Sequence, residues 1–90
     1  MKPYIDEKIS KSEWIREFNP EFAESDEYVW HRDCNDRKIA VLYGHGWKFQ
    51  FDNELPFDIN TKDMFTVPSM KYHRLIPGKS KLRIRINEKF

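Results

Sequence analysis

Alternation of apolar and polar side chains with a period of two dominates the chain after residue 36. The clearest case is residues 81–87, in which Leu82, Ile84 and Ile86 alternate with charged or amide side chains. Successive side chains of a β-strand point to opposite faces, so this period is typical of a strand with one buried face. It predicts that these three residues face a core.

Shorter runs of the same kind precede the last one, and turn signals separate them every six to ten residues. We expect strands at 37–43, 47–51, 55–59, 64–67 and 72–76. No helical pattern lies between the runs, which argues against parallel β-α-β units. Many short strands at this spacing indicate an all-β sandwich or barrel of antiparallel strands.

The N-terminal segment has a different pattern. Trp14, Ile15 and Phe18 recur at near-helical spacing, and Pro20 would end a helix because the residue before proline avoids the helical region. We therefore expect residues 1–27 to form an N-terminal arm with a short helix. Residues 28–90 then form the β-barrel.

Composition excludes several classes of protein. Ninety residues suit a single domain, and 16% aromatic residues argue against intrinsic disorder. No apolar run approaches the roughly 18 residues that span a bilayer, and the first residues lack the apolar stretch of a signal peptide. The single cysteine, Cys34, excludes an intramolecular disulfide and a cysteine-based zinc site. We expect a soluble, cytoplasmic protein that does not bind membranes.

Charge is unevenly distributed, although the net charge is only +1. Residues 1–27 carry −4, residues 28–61 carry −1 and residues 62–90 carry +6. The acidic and basic ends could attract each other within the fold or across a dimer, or the basic end could meet an anionic partner. A nucleic acid is not expected, because the outward residues of the last run include no aromatic side chain for stacking.

Three residues could together form a metal site. His31 and Asp33 are two positions apart, so on a strand they share a face, and His73 lies on a distant strand. Two imidazoles and one carboxylate form the facial triad that binds a divalent metal, often Fe(II). Alternatively, the two histidines are partly buried and hydrogen-bond to carboxylates without a metal. The residues alone leave both readings open.

Two spaced motifs resemble those of the cupins, a family of small jelly-roll barrels. The first runs from His31 through Asp33 to Arg37 and, after six more residues, Gly44. The second keeps the family's spacing from Pro68 to His73, and 17 residues, 45–61, separate the motifs. The resemblance covers about residues 28–87. It implies a single cupin-type jelly-roll barrel that commonly pairs into a homodimer.

The resemblance also implies a metal centre, although the motifs are degenerate. His31 and His73 stand at two of the family's four ligand positions, and Asp33 stands at a third. The implied cofactor is one divalent metal, Fe, Mn, Ni or Zn. Arg37 replaces the family's glutamate, and a guanidinium cannot bind a cation.

Other positions of the second motif also depart from the family. Lys62 and Met70 replace its glycines, and Pro77 stands where the family has asparagine.

A pocket without metal is the alternative. The cluster of His31, Asp33, Arg37 and His73, with Gln50 or Tyr72 nearby, could hold a small anionic or polyhydroxy ligand, because the arginine fork suits carboxylate or phosphate. A non-enzymatic cupin-fold interaction module fits the same departures. No reaction, and no catalytic residue, follows from the sequence.

Overall fold

The computed structural model describes residues 4–21 and 28–88, which form eight β-strands. In chain order they are β1 (Tyr4–Lys8), β2 (Glu13–Phe18), β3 (Arg37–Tyr43), β4 (Lys48–Phe51), β5 (Phe57–Asp58), β6 (Met64–Val67), β7 (His73–Ile76) and β8 (Leu82–Asn87). The described residues leave out 1–3 and 22–27 of the predicted N-terminal arm and 89–90 of the predicted barrel. In the described ranges no helix is long and apolar enough to cross a membrane.

All strand pairs are antiparallel and belong to two sheets. The larger sheet has the order β1-β2-β8-β3-β6, and the smaller has the order β5-β4-β7. The all-β prediction is confirmed, and the six strands predicted after residue 36 are present. The described strands form two separate sheets, so the predicted closed barrel is not seen.

The core fills the space between the two sheets. Its largest fully buried side chain is Trp47, which donates a 2.8 Å hydrogen bond from Nε1 to the Ser80 carbonyl. The other buried apolar residues of the strands alternate, as the period of two predicts: Phe18, Ile39, Val41, Phe49, Val67, Leu75, Leu82, Ile84 and Ile86. Tyr28 and Ile59, which lie outside the strands, complete the core.

The predicted N-terminal helix is wrong, because residues 4–18 form a β-hairpin instead. β2 pairs with β8 along its whole length, from Glu13 opposite Asn87 to Phe18 opposite Leu82. Its inward residues are Trp14, Arg16 and Phe18, which follow a period of two interrupted by a charged side chain. Pairing with β8 outweighs the local helical spacing, so the hairpin is part of the larger sheet.

Charge complementarity within the fold explains part of the uneven distribution. Arg85 on β8 donates to both carboxylate oxygens of Glu13 on β2, at 3.0 and 2.8 Å. This hydrogen bond is the main cause that lowers the pKa of Glu13 and raises the pKa of Arg85. Arg83 and Lys81 lie 3.9 Å from Glu17. The acidic hairpin therefore faces the basic last strand in the same chain.

Candidate metal centre

Backbone pairing brings the two predicted histidines together. His73 is the first residue of β7, and His31 forms an isolated antiparallel bridge with it. Each backbone N–H donates to the other residue's carbonyl, at 3.0 and 2.9 Å. Directly opposed residues of a ladder project from the same face, so both imidazoles enter the space between the sheets.

Asp33 joins them from the loop that precedes β3. Its carbonyl accepts a 2.7 Å hydrogen bond from the Met70 amide, which ties this loop to the turn before β7. One ligand atom each from His31, Asp33 and His73 lies within 4.8 Å of the others. The structure thus brings together the three residues predicted as metal ligands.

Both imidazoles are oriented by backbone carbonyls. Nδ1 of His73 lies 2.8 Å from the Lys71 carbonyl, and Nδ1 of His31 lies 2.9 Å from the Val29 carbonyl. A carbonyl oxygen only accepts hydrogen bonds, so Nδ1 is the donor in both rings. In the neutral ring the lone pair is then on Nε2, which is the arrangement that typically fixes a metal-binding histidine.

The lone pairs of two ligand atoms face each other. His73 Nε2 lies 3.2 Å from Asp33 Oδ2, with 5% of the histidine side chain and 15% of the aspartate side chain exposed. A neutral imidazole and a carboxylate at this distance repel unless a proton or a cation lies between them. Bonds of about 2.1 Å place two ligand atoms of one metal ion roughly 3–4 Å apart. The pair therefore fits a divalent metal.

Aromatic packing holds the ring of His73 in place. The Phe49 ring stacks against it with centroids 5.3 Å apart and an interplanar angle of 18°. The His31 ring meets it edge-on at 4.4 Å. Close packing limits the rotamers of both imidazoles, so the ligand atoms are positioned before a metal arrives.

Arg37 points into the site. Its Nη1 lies 3.5 Å from Asp33 Oδ2, and its Nε donates a 2.9 Å hydrogen bond to Glu88 Oε2. The guanidinium also lies 5.5 Å from the centre of the Trp14 ring. Arg37 thus divides its charge between two carboxylates, and Glu88 is a partner that the sequence motifs do not include.

Opposing influences act on the carboxyl group of Asp33. Burial alone would raise its pKa, but contact with His73, when that ring is protonated, and the positive charge of Arg37 favour the ionised form. The pKa of Asp33 is held below its usual value. The carboxylate is therefore available as a ligand at neutral pH.

A small cavity adjoins the cluster. Its volume is about 30 Å³, and Asp33, Arg37 and His73 are among the residues that line it. Arg16 of β2 lines the same cavity. This residue was not predicted from the sequence, because a helix was expected there and a helix does not place Arg16 on the inward face with Trp14 and Phe18. The period of two through Trp14, Arg16 and Phe18 is the signal that could have found it.

The two remaining predicted ligand-binding residues lie elsewhere. Gln50 donates to the Glu54 carbonyl and accepts from Arg74, on the side of the smaller sheet away from the core. The ring of Tyr72 is exposed, with the Arg32 guanidinium 5.0 Å from its centre. The prediction that these residues join the cluster is not supported by their positions.

Comparison with known proteins finds the fold but no sequence family. No protein-family model matches, and no curated protein matches. A cupin superfamily protein from Desulfitobacterium hafniense is 22% identical with a TM-score of 0.63, covering 97% of this chain and 76% of that one. A cupin domain from Bordetella pertussis is 14% identical with a TM-score of 0.61, covering 100% and 98%. The chain has a small cupin-like fold.

An enzyme also has this cupin-like fold. A DMSP lyase from Ruegeria pomeroyi is 12% identical with a TM-score of 0.63, and the alignment covers 89% of this chain but 40% of that one. Structural matches at identities this low establish the cupin-like architecture alone. The function has to be argued from the site itself.

The backbone at two degenerate positions keeps a conformation that favours glycine. In this cupin-like chain Lys62 has a φ of 79° and Met70 a φ of 62°. These are the two positions where the cupin motif has glycine. The left-handed conformation costs a residue with a side chain roughly 1–2 kcal/mol. The turns are therefore retained although the residues that suit them best have been replaced.

Proposed function

We propose that the protein binds one divalent metal ion through Nε2 of His31, Nε2 of His73 and the carboxylate of Asp33, and that it holds a small ligand in the adjoining cavity. The observation that carries the proposal is the orientation of the rings. Both Nδ1 atoms donate to backbone carbonyls, so in the neutral form of each ring the lone pair is on Nε2, beside a partly buried carboxylate. The cupin-like fold supports the same conclusion.

The ligand set favours a first-row transition metal, Fe, Mn, Ni or Zn. Two imidazoles and one carboxylate suit these ions and leave coordination positions open for water or a ligand. A metal bound there supplies Lewis acidity to an oxygen of that ligand. The chain's own residues orient the site, since Phe49 fixes the His73 ring and Glu88 holds Arg37.

A second candidate is a cupin-like interaction module without metal. The contact that favours it is the 3.5 Å separation between Arg37 Nη1 and Asp33 Oδ2, because a guanidinium can neutralise the carboxylate in place of a metal. In that case a proton rather than a metal lies between His73 and Asp33. The two candidates differ in whether metal remains bound after purification.

Metal retention is the direct test. The purified chain is loaded anaerobically with Fe²⁺, Mn²⁺, Ni²⁺ or Zn²⁺ in separate samples, desalted, and measured by elemental analysis. We expect one equivalent of at least one metal, and its loss in both His31→Ala and His73→Ala. His45→Ala is the matched control, because His45 is exposed in the turn between β3 and β4. No retained metal in any sample would favour the interaction module.

We also propose that the protein is a cytoplasmic homodimer. The exposed, unbridged Cys34 suits a reducing compartment. The outer face of the larger sheet exposes Ile5, Leu42 and Met64, which a second copy could cover. Sedimentation at increasing concentration should show a dimer, and a strict monomer throughout would contradict the assembly. Fractionation of the source cells would test the compartment.

A further inference from the structure

Arg37 can compete with a metal ion for the carboxylate of Asp33. Its Nη1 lies 3.5 Å from Asp33 Oδ2, the same oxygen that faces Nε2 of His73 at 3.2 Å. A charge-assisted hydrogen bond between a guanidinium and a carboxylate is roughly 2.7–2.9 Å long. The guanidinium therefore lies close enough to attract the carboxylate, but it stops short of this hydrogen bond.

Glu88 holds the guanidinium at this distance. Its Oε2 accepts a 2.9 Å hydrogen bond from Nε of Arg37, and both side chains are largely shielded from water. The backbone of Glu88 is itself fixed, because its N–H donates a 2.8 Å hydrogen bond to the Ser12 carbonyl. Nε is the guanidinium nitrogen closest to the Arg37 backbone, so a hydrogen bond there limits how far the rest of the group moves toward Asp33.

Another arginine of the chain shows what the guanidinium fork does when it meets a single carboxylate. On the outer face of the larger sheet, Nε and Nη2 of Arg85 both donate to Glu13, at 3.0 and 2.8 Å. With the described carboxylates Arg37 makes no such two-point contact, since its donors are divided between Glu88 and Asp33. Without Glu88, the same fork would close on both oxygens of Asp33.

A metal ion and the guanidinium need the same lone pairs of Asp33. Lone pairs that accept hydrogen bonds from the fork are not available to a cation, and the like charges of Arg37 and a divalent ion repel each other in a poorly hydrated site. The position of the guanidinium between two carboxylates therefore sets how strongly Asp33 binds a metal. Glu88 draws the guanidinium away from the metal ligand and partly neutralises its charge.

We propose that Glu88 is a positioning residue, which keeps Arg37 short of a hydrogen bond with Asp33 and so leaves that carboxylate available to the metal. Arg37 lowers the metal affinity of the site, and Glu88 limits this effect. The inference rests on the metal binding proposed above, and it adds how the chain's own residues regulate that site.

The test measures the Zn²⁺ affinity of the wild type and three variants by competition with a chelator of known affinity. Arg37→Met removes the competing cation, and we expect zinc to bind about tenfold more tightly. Glu88→Gln keeps the size of the side chain but frees the guanidinium, and we expect zinc to bind about tenfold more weakly. Glu13→Gln is the matched control, because Glu13 holds Arg85 on the outer face, and it should change the affinity less than about twofold.

A double variant separates positioning from the charge of Glu88 itself. If Glu88 acts by holding Arg37, Glu88→Gln in an Arg37→Met background should change zinc affinity by less than about twofold. A direct effect of the Glu88 charge on the metal would give the same loss in both backgrounds, and that result would overturn the inference. It is also overturned if Arg37→Met does not tighten zinc binding or Glu88→Gln does not weaken it.

Two further measurements guard against a variant that does not fold. Glu88→Asp keeps the charge but is one methylene shorter, so it loses its hold on Arg37 and should weaken zinc binding in the same direction as Glu88→Gln. In the metal-free protein, the Nε–H resonance of Arg37 in ¹H–¹⁵N NMR spectra should shift in both Glu88 variants and stay unchanged in Glu13→Gln. An unshifted resonance in the Glu88 variants would contradict the hold itself.

The zinc content of the wild type separates the two proposals. A wild-type protein that retains no zinc or other metal contradicts the metal site, and this inference fails with it. A wild-type protein that retains one equivalent of zinc, with an affinity that the Glu88 variants leave unchanged, contradicts only the role assigned to Glu88.

Discussion

Nε2 of His73 lies 3.2 Å from Oδ2 of Asp33, and the Nδ1 of the same ring donates to the Lys71 carbonyl. The neutral ring therefore has no proton on Nε2 to donate to the carboxylate. The repulsion between this lone pair and the carboxylate requires a positive species between the two atoms. A metal ion, with His31 as a third ligand, or an added proton meets this need.

Removing the charge of Asp33 should weaken metal binding. Asp33→Asn keeps the size of the side chain but replaces a carboxylate ligand by an amide, and we expect Zn²⁺ affinity to fall at least tenfold, since even indirect partners of a ligand are worth about 10–100-fold. Competition with a chelator of known affinity measures the change. Asp58→Asn is the control, because Asp58 is exposed and pairs with Lys48. Equal affinities in the two variants would exclude Asp33 as a ligand.

The ionised form of Asp33 should stabilise the metal-free protein at neutral pH. Its pKa is lowered in the folded state, so this contribution is complete above the unfolded value of about 3.9 and disappears as the pH falls through the lower folded pKa. We expect the difference in free energy of unfolding between wild type and Asp33→Asn to shrink between neutral pH and pH 3. Urea denaturation in the presence of chelator measures it. A difference that stays constant over this range would contradict the shift.

Glycine should stabilise the protein at the two turns with left-handed backbone. Met70→Gly and Lys62→Gly relieve the cost of a side chain at φ values of 62° and 79°, partly offset by the greater entropy of the unfolded chain. We expect each to raise the free energy of unfolding by roughly 0.5–1 kcal/mol. Asn53→Gly is the control, because asparagine tolerates a φ of 62° and little should change. Destabilisation by both substitutions would contradict this account.

Gly78 should be far less tolerant of a side chain than Gly44. A Cβ on Gly78 would lie 2.3 Å from the His45 carbonyl oxygen and would also meet neighbouring backbone atoms. The atom nearest to a Cβ on Gly44 would be the end of the Leu82 side chain, at 2.7 Å, and that group can move. We expect Gly78→Ala to cost about 3 kcal/mol and Gly44→Ala about 1 kcal/mol. Thermal unfolding of the two variants checks the order, and a smaller loss for Gly78→Ala would be inconsistent with the structure.

The period of two predicted the strands well where one face is apolar throughout. In β8, Leu82, Ile84 and Ile86 are buried as expected. In β2 the same period is interrupted by the inward Arg16, and Ile15 next to Trp14 imitates helical spacing. The choice between helix and strand is made there by pairing with β8 and by the salt bridge to Asp6, neither of which is visible locally.

The site was predictable in its members but not in its chemistry. Spacing within the two motifs identified His31, Asp33 and His73 as candidate ligands, and the structure brings these three residues together. The ring orientations depend on the backbone carbonyls of Val29 and Lys71. Every residue has a carbonyl, so the order of side chains does not predict which carbonyl accepts the hydrogen bond. That these residues bind a metal stays a prediction.

The direct test of the central claim is a long-range ¹H–¹⁵N NMR spectrum of the imidazole rings, recorded before and after one equivalent of Zn²⁺. We predict that zinc moves the Nε2 resonances of His31 and His73 while their Nδ1 atoms keep their protons, and that the exposed ring of His45 stays unchanged. If zinc leaves the rings of His31 and His73 unchanged, or moves all three rings alike, the metal centre proposed for this fold is contradicted.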